Sequence, residues 1–212
     1  MIDNKTVIVS CAGMGTRLGM GIPKILLKIN NETTILKYVL EQLKDVQDVR
    51  LVVGFKAEEV IEQALLYRRD ITFVFNHDYV NTGTGASVSK AMEYAKEYIL
   101  TIDGDTIIKP DDMQEILNTD GEFICGCDIS TDSPVYIQTK NNLATSFSLD
   151  SGEYEWTGIA CLKTAKVVAG NHHVCDMVAP LLPIKYKIIH MKEIDTKNDY
   201  ANALDWVKNN YK

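Results

Sequence analysis

The sequence predicts one α/β domain over residues 1–212, a three-layer sandwich with helices on both faces of a mixed, mostly parallel sheet. Near-continuous apolar runs such as KTVIVSC, VRLVVG and YILTID suit strands buried on both faces. Helix-period segments separate those runs, as parallel crossovers require. No Gly/Ser linker, repeat or low-complexity stretch interrupts the 212 residues, a length that closes around a single sheet.

Lys5–Cys11 is the first strand, closed by a glycine-rich turn. Thr34–Leu43 places Ile35, Leu36, Val39, Leu40 and Leu43 on one helix face. Val49–Gly54 is a strand, Ala57–Leu66 a helix and Ile71–Asn76 the third strand. Ala86–Glu97 follows as a helix and Tyr98–Asp103 as the fourth strand. Pro110 opens a helix to Leu117, where its missing N–H costs nothing. Short strands are expected at Glu122–Cys127, Val135–Thr139, Leu143–Phe147 and Gly158–Leu162, extending the sheet and walling off one side of its pocket. A short helix at Val178–Leu182, a strand at Ile184–Met191 and a last helix at Asn198–Asn209 complete the chain.

Composition excludes several classes. Hydrophobic residues at 46% and charged residues at 24% describe an ordinary globular chain, neither disordered nor coiled coil. Lys and Arg number 22 against 29 acids, and a net charge of −7 lacks the basic footprint of a nucleic-acid binder. No apolar run reaches the roughly 18 residues of a membrane span, so no membrane insertion is expected. The N-terminus reads as folded protein without a signal peptide. The five cysteines, with Cys125 and Cys127 too close for a CxxC site, read as buried free thiols of a cytoplasmic protein.

Chemistry concentrates in Ser10-Cys-Ala12-Gly13-Met14-Gly15-Thr16-Arg17-Leu-Gly19-Met-Gly21-Ile-Pro23-Lys24, directly after the first strand. Loops at the carboxyl edge of a parallel sheet gather ligands. Glycines there let amides approach an anion, and Arg17 and Lys24 add positive charge, a combination suited to a polyphosphate. The chain has no Gly-Lys pair, so the GxxxxGK[ST] loop is absent. Glycines at 13, 15 and 19 also miss the dinucleotide GxGxxG spacing.

What remains, GxGTRLG…PK, resembles the signature of the nucleotidylyltransferase superfamily, which activates sugar phosphates and related compounds. The resemblance implies a single nucleotidyltransferase domain of Rossmann-like, GT-A type. It assigns Ala12, Gly13, Met14, Gly15 and Thr16 to the nucleotide, with Lys24 and Arg17 as the reacting cations. In Ile102-Asp103-Gly104-Asp105 it assigns Asp105 to Mg²⁺, and in the late segment Glu193-Ile-Asp195-Thr-Lys-Asn-Asp199-Tyr it points to Asp195 as the second ligand. Asp199, at the start of the last helix, reads as a cap or first-turn acid. Asp103 joins the nucleotide set, either positioning metal or ribose or bonding nearby amides. A DxD triplet also occurs in glycosyltransferases, but those do not need the PK loop.

Asn81-Thr82-Gly83-Thr84-Gly85-Ala86 resembles the GTGxA stretch that seats base and ribose, so Thr82 through Ala86 are assigned to the nucleotide. Uridylyltransferases carry a Gln upstream; here Phe75-Asn76 stands in that region. With the Ile-Asp-Thr-x-x-Asp-Tyr tail, this looks more like small bacterial choline-phosphate-type cytidylyltransferases, which implies CTP and assigns Asn76 to the base. Tyr154-Glu155-Trp156-Thr-Gly-Ile resembles the family's acceptor strand, and Tyr154, Trp156 and Glu155 would face a quaternary ammonium.

The expected reaction joins a nucleoside monophosphate from CTP to a small phosphorylated acceptor, such as phosphocholine or a related phosphonate, with release of pyrophosphate. Mg²⁺ is the expected cofactor. The alternatives are a sugar-1-phosphate uridylyl- or thymidylyltransferase and a DxD glycosyltransferase.

Overall fold

The computed structural model describes residues 2–131 and 133–210. β1 (Ile2–Ser10) leads through a loop with a 3-10 turn at Lys24–Leu26 into α1 (Ile35–Gln42) and β2 (Val46–Val53). Then come α2 (Ala57–Leu65), β3 (Ile71–Phe75), α3 (Thr84–Ala91), β4 (Tyr98–Asp103), β5 (Thr106–Ile108) and α4 (Pro110–Asn118). The second half adds β6 (Phe123–Cys127), β7 (Tyr136–Lys140), β8 (Leu143–Ser148) and β9 (Tyr154–Lys163). It ends with α5 (Val174–Val178), β10 (Ile184–Ile188), β11 (Met191–Glu193) and α6 (Lys197–Asn210).

Nine strands form one sheet in the order β3-β2-β1-β4-β9-β6-β10-β8-β7. Only β9 and β8 run against the other strands, so the sheet is mixed and mostly parallel. Side chains alternate across it. Val7, Val9, Leu51 and Leu100 pack on one face under α1, α2, α4 and α6. Ile8, Val52 and Ile99 pack on the other under α3 and α5. The fold is an α/β three-layer sandwich of Rossmann-like form.

Differences from the sequence expectation have local causes. α3 stops at Ala91 rather than Glu97, because the Arg50 guanidinium takes the carbonyls of Ala91, Glu93 and Tyr94 at 2.8, 2.6 and 3.1 Å. Tyr94 there adopts φ 54°, which ends the helix. The expected strand 184–191 divides in two. Ile189 donates to Gly126 O at 2.9 Å, His190 turns onto Asp112, and β11 leaves the main sheet to pair with β5. β9 begins at Tyr154, ahead of Gly158, because Tyr154 and Glu155 pair with β7. The short late helix starts earlier, as α5, and continues as a 3-10 turn over Ala179–Leu181, within the expected span. Cys11, Cys125, Cys127 and Cys161 are buried free thiols, and Cys175 is half-buried.

The loop after β1 is anchored from below. Leu18, Ile25 and Leu27 are each 1% exposed and pack into the α1 side of the core. Each such burial is worth about 1.5–3 kcal/mol, which holds a glycine-rich segment in one place. The neighbouring β4–β5 turn is tied to it by the Gly104 amide, which donates to Ser10 O at 2.8 Å.

Candidate active site

Three distant segments converge at the carboxyl ends of β1 and β4. Beyond the buried Cys11 and Ala12, Gly13 faces open space, with no heavy atom within 4 Å of where a Cβ would stand. Gly15 lies at φ 60°, and a Cβ there would come within 3.0 Å of Lys24 Cγ. Its carbonyl closes the turn by accepting from Leu18 and Gly19 at 3.1 and 3.3 Å. The amides of Gly13, Met14, Gly15 and Thr16 have no acceptor among the described residues. Successive amides of this kind form an anion-binding concavity.

Lys24 Nζ lies 2.7 Å from Asp105 Oδ2 and 2.7 Å from Asp195 Oδ1. Burial works to lower the lysine's pKa, but the two carboxylates prevail and hold it above the ordinary value. The exposed Arg17 reaches Asp195 Oδ1 at 2.8 Å. Asp195 is itself fixed by the helix behind it. Asp199 Oδ2 accepts from the amides of Asp195 and Thr196, while the Asp199 amide donates to Thr196 Oγ1, so Thr196 caps the helix and Asp199 is the first-turn acid that reaches back to it.

Two further acids complete the cluster. Asp103 stands beside Asp105, with burial first and the Asp105 charge second pushing its pKa up to about 8. Glu193, at the end of β11, is pushed up to about 8 by burial and then by Asp105 and Asp195. Sequence reading passed over Glu193, which closes β11 two residues before Asp195. Asp105, Glu193 and Asp195 offer oxygens within 4.8 Å of one another. An all-oxygen set of this charge, with a lysine ammonium lodged in it, fits a hard divalent cation.

On the base side several of the assigned groups also have partners within the protein. Asn76 is only 1% exposed, and its Nδ2 donates to Thr82 Oγ1 and Ser87 Oγ at 3.1 and 3.3 Å. It braces the following loop from inside, and its buried Oδ1 has no hydrogen-bond partner among the described residues. The Gly83 and Gly85 amides are taken by Asn171 O and His172 O, both at 2.9 Å, so they are not free for base or ribose. A Cβ at Gly83 would overlap His172 O; here glycine serves close packing of two chain segments. The Thr84 hydroxyl accepts from the Val174 amide at 3.4 Å, and Ala86 is buried.

The acceptor trio is also divided. Glu155 is 4% exposed and accepts from the amides of Ser130 and Thr131 and from the Thr131 hydroxyl. It ties down that loop and turns away from Tyr154 and Trp156, as neighbours on a strand must. Those two share a face with Gly158, against which Asp103 lies. Trp156 packs against Phe147 with centroids 5.1 Å apart, and Tyr154 against Tyr186 at 5.8 Å. The result is two aromatic pairs on the strand that leads to Gly158, two members of which come from strands the motif did not reach.

The MobA-like NTP transferase domain family matches residues 7–142. The bifunctional protein GlmU of Campylobacter lari is 30% identical over 119 residues, covering 56% of this chain and 28% of that protein. GlmU of Methanococcus vannielii is 33% identical over 115 residues, covering 52% and 27%. This chain therefore spans little more than a quarter of those relatives. CTP:phosphocholine cytidylyltransferase (LicC) from Streptococcus pneumoniae superposes with a TM-score of 0.76 at 18% identity, covering 96% of this chain and 99% of that one. The inositol-1-phosphate CTP transferase from T. maritima gives 0.78 at 17%, covering 98% and 97%. At these identities the likeness speaks for the fold. The family match runs from β1 through β7 and takes in the glycine loop, Lys24 and Asp105, so the chain belongs to the MobA-like NTP transferase domain family and to the nucleotidyltransferase class.

Proposed function

We propose that the chain transfers a nucleoside monophosphate, CTP being the favoured donor, to a small phosphorylated acceptor and releases pyrophosphate. The observation that carries this is the Lys24 ammonium held between Asp105 and Asp195, beside four loop amides that have no acceptor among the described residues. The amides from Gly13 to Thr16, with Arg17, take the β- and γ-phosphates. Lys24 faces the α-phosphate and the incoming phosphate. The acceptor phosphate is mostly dianionic at neutral pH, its second pKa being about 6, so no general base is needed. Its oxygen bonds to the α-phosphorus as the α–β bridging bond breaks, and the pair of electrons leaves with pyrophosphate. Lys24 and Arg17 neutralise the charge that builds on both sides. Asp105 and Asp195, with Glu193 beside them, would hold Mg²⁺, which supplies charge neutralisation across the phosphates when bound.

On the acceptor side, the patch of Tyr154, Trp156, Phe147 and Tyr186 suits a quaternary ammonium through cation–π contact. Two fold neighbours named for CTP-dependent transfer support the choice of base. The test is pyrophosphate release from each of four NTPs against phosphocholine, glycerol phosphate, aminoethylphosphonate and hexose-1-phosphates. CTP with phosphocholine is expected to be fastest. Faster turnover with UTP or dTTP overturns the base assignment, and a hexose-1-phosphate preference moves the acceptor to the sugar alternative. No pyrophosphate from any pair overturns the reaction.

A further inference from the structure

The two ends of the nine-stranded sheet differ. At one, β7 pairs with both β8 and β9 and is folded back into the sheet. At the other, β3 pairs with β2 alone. The Asn76 amide donates to Val53 O on β2, so alternation turns the backbone groups of Ile71, Phe73 and Phe75 outward. Edge strands are ordinarily blunted by Lys, Pro or a bulge. β3 reads ITFVF, with no charge, no proline and an unbroken register.

Exposed apolar side chains gather at both ends of this edge. Leu66 is 70% exposed, Tyr67 41%, Phe75 44% and Val80 67%. Beside Phe75 opens a cavity of about 410 Å³ whose walls include Glu58, Phe75 and His77, the two rings stacked 5.4 Å apart. Among the described residues neither Glu58 nor Arg69 has an ion-pair partner.

We infer that the chain forms a two-fold dimer by antiparallel pairing of β3 with β3 of a second copy, centred on Phe73. In this register Ile71 faces Phe75 of the other copy on the α2 side, and Thr72 faces Val74 on the opposite side. Every facing pair is aromatic or β-branched, the kind that stabilises adjacent strands. Carried two residues further, the register sets Arg69 of one copy against His77 of the other, at the mouth of the cleft that holds Glu58. An unpaired cation then meets an unpaired carboxylate and two ring faces. The same symmetry lays the Leu66–Tyr67 end of one copy beside Val80 of the other. One surface is complementary to itself, as a closed two-fold interface requires.

Sedimentation equilibrium of the full chain, with hydrogen exchange over residues 68–78 at low and high concentration, tests this. The expected results are a dimer and β3 amides whose protection rises with concentration. R69E and E58R are each expected to weaken association about tenfold or more, and the charge-swapped double variant to regain most of it. Both residues are exposed, so circular dichroism is expected to be unchanged. A chain that stays monomeric at the highest soluble concentration overturns the inference. So does a dimer whose β3 amides exchange equally fast at all concentrations, or one that R69E leaves unweakened.

Discussion

Asp103 and Gly158 meet so closely that a Cβ at Gly158 would overlap Asp103 Oδ2, while Gly158 itself holds φ 77°. The antiparallel neighbour of β4 therefore forms one wall of the acid cluster. Gly158→Ala combines a left-handed backbone with displacement of that carboxylate, at a cost of about 1–3 kcal/mol. A lowered urea midpoint, together with reduced pyrophosphate release, is the expected outcome.

Lys24→Ala removes the cation that the proposed reaction sets against the phosphates. Turnover is expected to fall about a hundredfold or more, the scale of losing one preorganised charge contact, with circular dichroism unchanged. Near-normal turnover would contradict the role given to Lys24. Asp195→Ala is expected to move the Mg²⁺ concentration for half-maximal rate upward by about tenfold or more. An unchanged Mg²⁺ profile would shift that role to Glu193 or Asp103.

Glu155 and Trp156 are chain neighbours with separate tasks. Glu155→Ala unties the amides of Ser130 and Thr131 and is expected to cost about 2 kcal/mol of stability, with KM for phosphocholine unchanged. Trp156→Ala is expected to raise that KM about tenfold. Steady-state kinetics and chemical denaturation on the same two variants separate the effects.

Asp48 offers a pH signature away from the cleft. Burial alone would lift its carboxyl, but hydrogen bonds from Arg50 and Thr6 hold it below the usual 3.8. A carboxyl depressed in the folded state stabilises the fold above its unfolded pKa and loses that contribution as pH falls through the folded value. Asp48→Asn is therefore expected to cost about 1 kcal/mol at neutral pH, discounted for partial exposure. The gap from the parent chain should narrow below about pH 3.8 in denaturation series.

Much of this architecture was legible because its signals are local. Strands buried on both faces, such as VRLVVG, can hardly avoid apolar runs, and a loop that cradles phosphate needs glycine where amides must lie bare. Asp105 and Asp195 stand out by family resemblance rather than by any local signal, and the fold does bring both onto Lys24. What could not be read depends on contacts between remote segments. Nothing near Gly83 announces that His172 O will press against it, and Asn76 gives no sign that Thr82 and Ser87 will consume its amide. Glu155 shows a different limit. Strand alternation was available to separate it from Trp156, but that strand was expected to begin only at Gly158.

Lys24 and Asp195 touch across 171 residues of chain. During synthesis the glycine loop and its lysine leave the ribosome long before the acid that pairs with them exists. A polypeptide that stops short of Asp195 leaves the Lys24 ammonium with Asp105 alone of its two carboxylates. The pairing that seats Lys24 is thus complete only once the segment ahead of α6 has folded back onto the glycine loop.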